Sequence, residues 1–393
     1  MKLIKYKLGD LIRQRRQKND SNDLPICGVT RDGFIPPKQQ DADTSLYNVF
    51  YLKDFVFNPA RMELNAIVFN DRYEKAICSS LYEVFYVHRP EVILPEYLAL
   101  LVKQDWFTRY CKFMGSGSAR EYCRVANISE LEIEVPPIEF QAEMARDNQI
   151  IRDRIELKRR INDNLAETAN ALFCKMFFAT SIAEKCDVGT FSQLIKETIG
   201  GDWGQEQPKG NYTSKVTCIR GTDIPALNLG SISAAPTRYI LPKNLSSKRI
   251  TADNIVVEIS GGSPVQATGR VALIPDAVLA YHKEDLICSN FCRIMNIRSE
   301  YLYFFFQYWT YLYRNGVMFN YENSSTGLKN FNFSAFITEE KIQIPPIDIA
   351  RRFNATLEPI YKEIFSVGFE IEKLVEAREL LLPHLMLHDF SSR

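Results

Sequence analysis

The feature that most constrains this chain is a stretch used twice. Residues 128–138 read Ile-Ser-Glu-Leu-Glu-Ile-Glu-Val-Pro-Pro-Ile, and residues 337–347 read Ile-Thr-Glu-Glu-Lys-Ile-Gln-Ile-Pro-Pro-Ile. Each runs into a long charged segment with Leu and Ile at helical spacing. Two further echoes support the repeat. Leu8-Gly9-Asp10-Leu11-Ile12-Arg13 is matched by Phe191-Ser192-Gln193-Leu194-Ile195-Lys196, and Ile77-Cys78-Ser79-Ser80 by Ile287-Cys288-Ser289-Asn290. The offset is 209 from Pro136 to Pro345 and 210 from Ile77 to Ile287, so an internal duplication is expected. Each copy is a globular segment, a Pro-Pro punctuation and a long helix.

The helical segments have countable periodicity. Met144, Asn148, Ile151, Ile155, Lys158, Asn162, Leu165, Ala169, Leu172 and Met176 step alternately by four and three. Phe353, Leu357, Ile360, Ile364, Val367, Ile371, Leu374, Arg378, Leu381 and Leu385 do the same. Such steps average 3.5 residues, the period of a left-handed coiled-coil seam, and polar residues within a seam fix register. A helix of about forty residues spans roughly 60 Å at ~1.5 Å per residue. The expected seam is Ile151, Ile155, Leu165 and Leu172 against Ile360, Ile364, Ile371 and Leu374. If the helices pair antiparallel, the globular units are separated by a spacer and related by a pseudo-two-fold axis. Two helices packed in separate cores are the plainer alternative.

The globular segments read as mixed. Strand-like runs fall at 46–52, 55–57, 66–69, 80–87 and 128–135, then near 215–220, 237–241, 254–259, 270–274 and 286–296. Residues 4–18 read as an amphipathic start and 190–199 as a short helix. Helices are expected from Pro95 and over 301–313. The fold class is α+β, with boundaries at 1–138, 139–180, 181–346 and 347–393.

At 393 residues the chain exceeds what one core usually holds, and 46% hydrophobic content with 25 Phe and 19 Tyr excludes a disordered chain. Lys plus Arg equals Asp plus Glu, 48 each, so no global field points to nucleic acid. No apolar run reaches a membrane span, and charges interrupt the start, so neither membrane nor export is expected. The nine cysteines include no CxxC; Cys288 and Cys292 on one strand-like run would share a face over ~12 Å apart. Reduced core thiols in a cytoplasmic protein are the expectation.

Catalytic chemistry is not evident. An adenine methyltransferase would need Asn or Asp before Pro-Pro-aromatic, and Val135, Ile344 and Ile35 stand there instead. No GxxxxGK[ST] exists to cradle a phosphate. His384 and His388 are four apart, yet no third metal ligand accompanies them.

The order of motifs resembles that of specificity (S) subunits of type I restriction–modification systems. The matching residues are Leu8–Ile12, Ile199-Gly200-Gly201-Asp202-Trp203-Gly204, and Cys218-Ile219-Arg220-Gly221-Thr222-Asp223-Ile224. Gly261-Gly262-Ser263-Pro264 with Thr268-Gly269-Arg270, and the repeated Pro-Pro-Ile, complete the set. After Pro-Pro the family's usual Glu-Gln is only partly kept, as Phe140-Gln141 and Ala350-Arg351. The resemblance implies two target-recognition domains, each reading half of an asymmetric, interrupted site in double-stranded DNA. It implies helices that dock two modification (methyltransferase) subunits carrying S-adenosylmethionine. Restriction (translocase and nuclease) subunits using ATP would join through them. The S subunit itself would hold no cofactor, no metal and no catalytic residue. From the residues alone, a coiled-coil adaptor with two protein-binding ends stays open.

Base reading favours Arg or Lys to guanine, Asn or Gln to adenine and Ser or Thr to either. The candidates are Thr30, Arg31, Ser116, Ser118, Arg120 and Arg124 in the first segment. In the second they are Arg220, Thr222, Lys248, Arg249, Ser324, Ser325, Thr326 and Lys329. Gly261 and Gly262 read as turn residues.

Overall fold

The computed structural model describes residues 3–21, 23–37, 43–115, 122–179, 182–261, 265–325 and 328–385, without the side chains of 324, 325, 328 and 381–385. The chain divides into two compact units, one of residues up to Asp153 with those from Ala377, the other Arg154–Glu376.

In the first unit, Ile12–Arg15, Glu83–Val87, Phe55–Phe57 and Ile67–Phe69 form an antiparallel sheet in that order. A second sheet runs Gly33–Ile35, Ile26–Thr30, Lys75–Cys78, Asn48–Tyr51, with its middle pair parallel. Ile4–Lys7 and Glu132–Val135 make an antiparallel ribbon. Residues 4–18 are therefore not an amphipathic helix but strand, 3-10 turn (Leu8–Asp10) and strand. Cross-strand pairing outweighs the local helical spacing. The expected strand at 128–135 is confined to Glu132–Val135, because Val125–Ser129 closes into a helical turn.

The second unit repeats this plan. Ile195–Gly200, Cys292–Ile297, Asn254–Glu258 and Val271–Ile274 form the antiparallel sheet. Thr237–Ile240, Ser214–Ile219 and Leu286–Cys288 form the other, again with one parallel pair. Asp187–Thr190 and Lys341–Ile344 make the ribbon. The short helix expected at 190–199 is a 3-10 turn between two strands, for the same reason as at the start of the chain. The run 286–296 is two strands broken by a turn, so Cys288 and Cys292 lie on separate strands rather than one face. All nine cysteines are free thiols. Burial pushes Cys218 and Cys292 up to about 12, so neither supplies a thiolate.

The Pro-Pro pairs do the same work in both copies. Each ends a ribbon strand and precedes a long helix, Ile138–Phe178 of 41 residues and Ile347–Leu385 of 39. In the first copy Gln141, fully buried, latches the helix to its globular segment. Its Oε1 accepts the Leu94 N–H (2.9 Å), and its Nε2 donates to Val92 O (2.9 Å) and Pro136 O (2.8 Å). In the second copy the equivalent position is Ala350, also buried. There Tyr301 Oη donates to Pro345 O (3.2 Å), while Asn354 Nδ2 donates to Ser299 O (2.9 Å). Where the first copy has Gln141, neighbouring side chains thus make the attachment in the second.

Within the second unit the two helices run antiparallel. Lys158 pairs with Glu370, Asn162 Nδ2 donates to Ile364 O (3.1 Å), and Phe177 meets Phe353 edge-on at 5.0 Å. Of the expected seam, Ile155 and Ile364 are buried, and Ile151, Leu165, Leu172, Ile360, Ile371 and Leu374 are half-buried. The contact is wider than a two-residue seam. Phe173 and Phe177 join Phe304, Phe353 and Leu357 in one core with the second unit's sheet. Burying each such side chain contributes about 1.5–3 kcal/mol. Gly368 lets the globular segment press on the helix: a Cβ there would lie 1.6 Å from Leu229 O. Among the described residues no helix is long and apolar enough to cross a membrane.

Candidate nucleic-acid interface

In the second unit, motifs far apart in sequence close on one pocket of about 710 Å³. Trp203, Arg220, Gly221, Thr222, Glu258, Gly261, Thr268, Arg270 and Ser289 are among its walls.

The Gly200–Gly204 stretch is a turn that presents Trp203. Asp202 N–H donates to Cys288 O (2.8 Å), and Asp202 Oδ1 accepts from Gly204 N–H (3.1 Å). Gly201 must lack a side chain, since a Cβ would sit 2.0 Å from Ser289 O. Gly204 has φ +59° and lies against Tyr239 O, so it needs glycine twice over. Arg238 stacks on the Trp203 ring at 4.1 Å and holds its carbonyl through Nε (2.9 Å).

The second motif is locked by its own arginine. Arg220 forks onto Asp223 (Nε–Oδ2 3.0 Å, Nη2–Oδ1 2.9 Å) and also reaches Ala234 O (2.7 Å). Thr222 is left exposed at the pocket. The third motif supplies Arg270, whose guanidinium is bidentate to the buried Glu258 (2.8 and 2.7 Å). Fixed fork-to-carboxylate pairs add geometric specificity to their charge. Gly261 is not a turn residue: it pairs with Lys329 across a three-stranded sheet of Ser260–Gly261, Leu328–Phe331 and Glu322–Ser325.

Arg220 and Thr222 therefore line the pocket, and the backbone of Ser324 and Ser325 belongs to a hairpin that pairs with its wall. Lys329 Nζ is committed to Glu322 (3.1 Å). Lys248 donates to Gly201 O (2.8 Å), beneath the Trp203 turn, and Arg249 pairs with Asp285 (2.9 Å). Lys248 and Arg249 do not line the pocket. In the first unit Thr30 Oγ1 donates to Gly33 O (3.0 Å), which shapes a tight hairpin with Arg31 exposed at its tip. Arg124 starts the Val125–Ser129 turn and faces Glu83 at 3.5 Å. Ser116, Ser118, Arg120, Thr326 and Gly262 lie outside the described residues.

Trp203, Glu258, Ser289, Asn290 and Phe291 were not among the sequence candidates, although all line the pocket. The signal for two of them was present: Ser289-Asn290 closes the repeated tetrapeptide.

One further feature recurs in both units. The turn between the parallel-paired strand and the next is closed by Tyr82 N–H to Ser79 O (3.0 Å) and by Cys292 N–H to Ser289 O (2.9 Å). Its third residue is Leu81 in one and Phe291 in the other, 78% and 54% exposed. Turn positions ordinarily take Gly, Asn or Asp, and here a large, exposed apolar side chain recurs at both tips.

No family model matches the chain. The type I restriction enzyme MjaIX specificity subunit of Methanocaldococcus jannaschii is 23% identical over 309 residues, covering 75% of this chain and 68% of that protein. The crystal structure of a type I restriction–modification S subunit from M. genitalium superposes with a TM-score of 0.56 at 14% identity, covering 99% of this chain and 97% of that one. In sequence the chain is similar to a type I restriction enzyme specificity subunit, and in fold to a type I restriction–modification S subunit.

Proposed function

We propose that the chain is the non-catalytic DNA sequence-specificity subunit of a type I restriction–modification complex. The observation that carries this is the duplicated scaffold, with the same strand order in the antiparallel sheet and a large apolar residue at the equivalent turn tip of each unit. Two similar but non-identical readers suit a bipartite, asymmetric site. The first, residues 1–138, reads one half, and the second, 181–346, reads the other. The helical segments 139–180 and 347–393 dock two methyltransferase subunits and set half-site spacing. The side chains that read are Thr30, Arg31 and those of residues 116–124 in one unit, and Thr222 and those of residues 324–329 in the other.

Methylation with S-adenosylmethionine and ATP-driven cleavage belong to the partner subunits, and the assembly works on DNA in the cytoplasm. Balanced charge fits a reader that leaves part of the phosphate neutralisation to its partners. The test is co-expression with a methyltransferase subunit, followed by methylation-sensitive sequencing of the host genome. One bipartite motif modified throughout is the expected result. An intact complex that modifies no motif refutes the reading, and an absence of sequence-dependent DNA affinity at any salt concentration would favour a protein-binding adaptor.

A further inference from the structure

We infer that the pocket of the second unit receives a single nucleobase turned out of the duplex, one whose edge carries an amino group. This rests on the DNA-reading proposal and adds a ligand to it. Four observations lead there. The pocket of about 710 Å³ is within the size range of small-ligand sites. Two aromatic rings border it, Trp203 at 37% and Phe291 at 54% exposure, giving flat surfaces for a flat ring.

Its charges cancel internally, Arg220 against Asp223 and Arg270 against Glu258, so a phosphate finds no free cation among these four groups. An uncharged polar ring fits better. Finally, Ser289 is 1% exposed, and its Oγ is set against the Cys292 thiol, a weak hydrogen-bond partner. A buried hydroxyl at a pocket wall with a weak partner gains from a ligand that supplies a stronger one.

The edge preference follows from Glu258. Each carboxylate oxygen accepts one bond from Arg270, and each keeps a second lone pair. Gly221 and Gly261 flank that carboxylate, where a Cβ would stand 2.4 and 3.0 Å from Oε1. An acceptor there selects a base with an amino group on its pairing edge, cytosine, adenine or guanine, over thymine, which has none. Stacking between aromatic side chains and hydrogen bonds to the pairing edge are how extruded bases are held.

The first unit does not reproduce this floor. Asn58 stands where Glu258 does, Ala66 where Arg270 does, and Asn58 Oδ1 is used to cap the Pro59–Leu64 turn.

The experiment uses the complex with its methyltransferase subunit and duplexes of the modified site with one mismatch at a time. A base already unpaired costs less to extrude. One cytosine, adenine or guanine position in one half-site, other than the methylated adenines, is expected to bind several-fold tighter when mismatched. Phe291→Ala and Ser289→Ala each remove that gain, while any tightening at the methylated adenines remains. Thermal unfolding that matches the unaltered complex shows that both variants fold. The inference is overturned if no such position tightens, or if the gain survives both substitutions. Loss of all sequence-dependent binding by the unaltered complex instead refutes the DNA-reading proposal itself.

Discussion

The two globular units share a scaffold and differ in where they bury charge. Asp54 and Asn254 occupy the same rung of equivalent strands. Each follows a residue in the left-handed region, Lys53 (φ 66°) and Asp253 (φ 64°), and each accepts a backbone N–H at 2.8 Å, from Tyr51 and Thr251. In the first unit Asp54 takes the fork of Arg15 (2.6 and 3.0 Å), which lies 4.7 Å from both the Tyr51 and Tyr86 rings. In the second unit the ion pair has moved to the other end of the strand, where Glu258 meets Arg270 and Asn58 is the counterpart. A duplicated fold therefore leaves the polar interior free to diverge. Each unit places one rigid, desolvated fork at a different spot, and in the second it underlies the pocket.

The largest effects should come from breaking those forks. Removing one partner of a buried pair leaves an uncompensated charge and costs about 3–5 kcal/mol. Glu258→Ala should destabilise the second unit on that scale and abolish reading of one half-site. Asp54→Ala should do the same to the first unit and the other half-site. Denaturant unfolding with per-half-site binding checks both, and loss of the same half-site by both variants would break the comparison.

Next come the attachments of helix to globular segment. Gly368→Ala forces a Cβ against Leu229 O, an overpacking of about 1–3 kcal/mol. Gln141→Ala strips donors and an acceptor from Val92, Leu94 and Pro136, again about 1–3 kcal/mol. The same unfolding measurements should show Gln141→Ala acting on the first unit and Gly368→Ala on the second. In the helix pair, Asn162→Leu should stabilise by about 1 kcal/mol while loosening register, seen as a raised Tm with a broadened choice of half-site gap. Smallest for stability is Arg31→Ala, within about 0.5 kcal/mol. If Arg31 reads a base, it should still cost one half-site ~1–3 kcal/mol of discrimination, measured by competition binding.

Much of the architecture was legible because repetition is robust to local error. The 209–210 offset located both Pro-Pro junctions, and the alternating steps located the faces that Ile155 and Ile364 bury. Local periodicity failed where pairing partners lay far away. Residues 4–18 and 190–199 carry helix-like spacing, yet distant strands recruit them: 132–135 and 341–344 pair with Ile4–Lys7 and Asp187–Thr190, and 83–87 and 292–297 with Ile12–Arg15 and Ile195–Gly200. The pocket was half legible. Its glycine and arginine motifs stood out as motifs, but Arg220 and Arg270 proved to be committed to Asp223 and Glu258. Pairing of a charge with a distant carboxylate is a property of topology, which no spacing rule encodes. Phe291 carried no signal that set it apart from core residues.

The most direct test of the central claim is half-site exchange read by methylation. Complexes carrying substitutions at Thr30 and Arg31, or at Thr222 and Phe291, would be expressed with the methyltransferase subunit and their modified motifs sequenced. The account predicts one bipartite motif in which first-unit substitutions alter only one half and second-unit substitutions only the other. Changes falling on the same half from both units, or no motif from the unaltered chain, would contradict it.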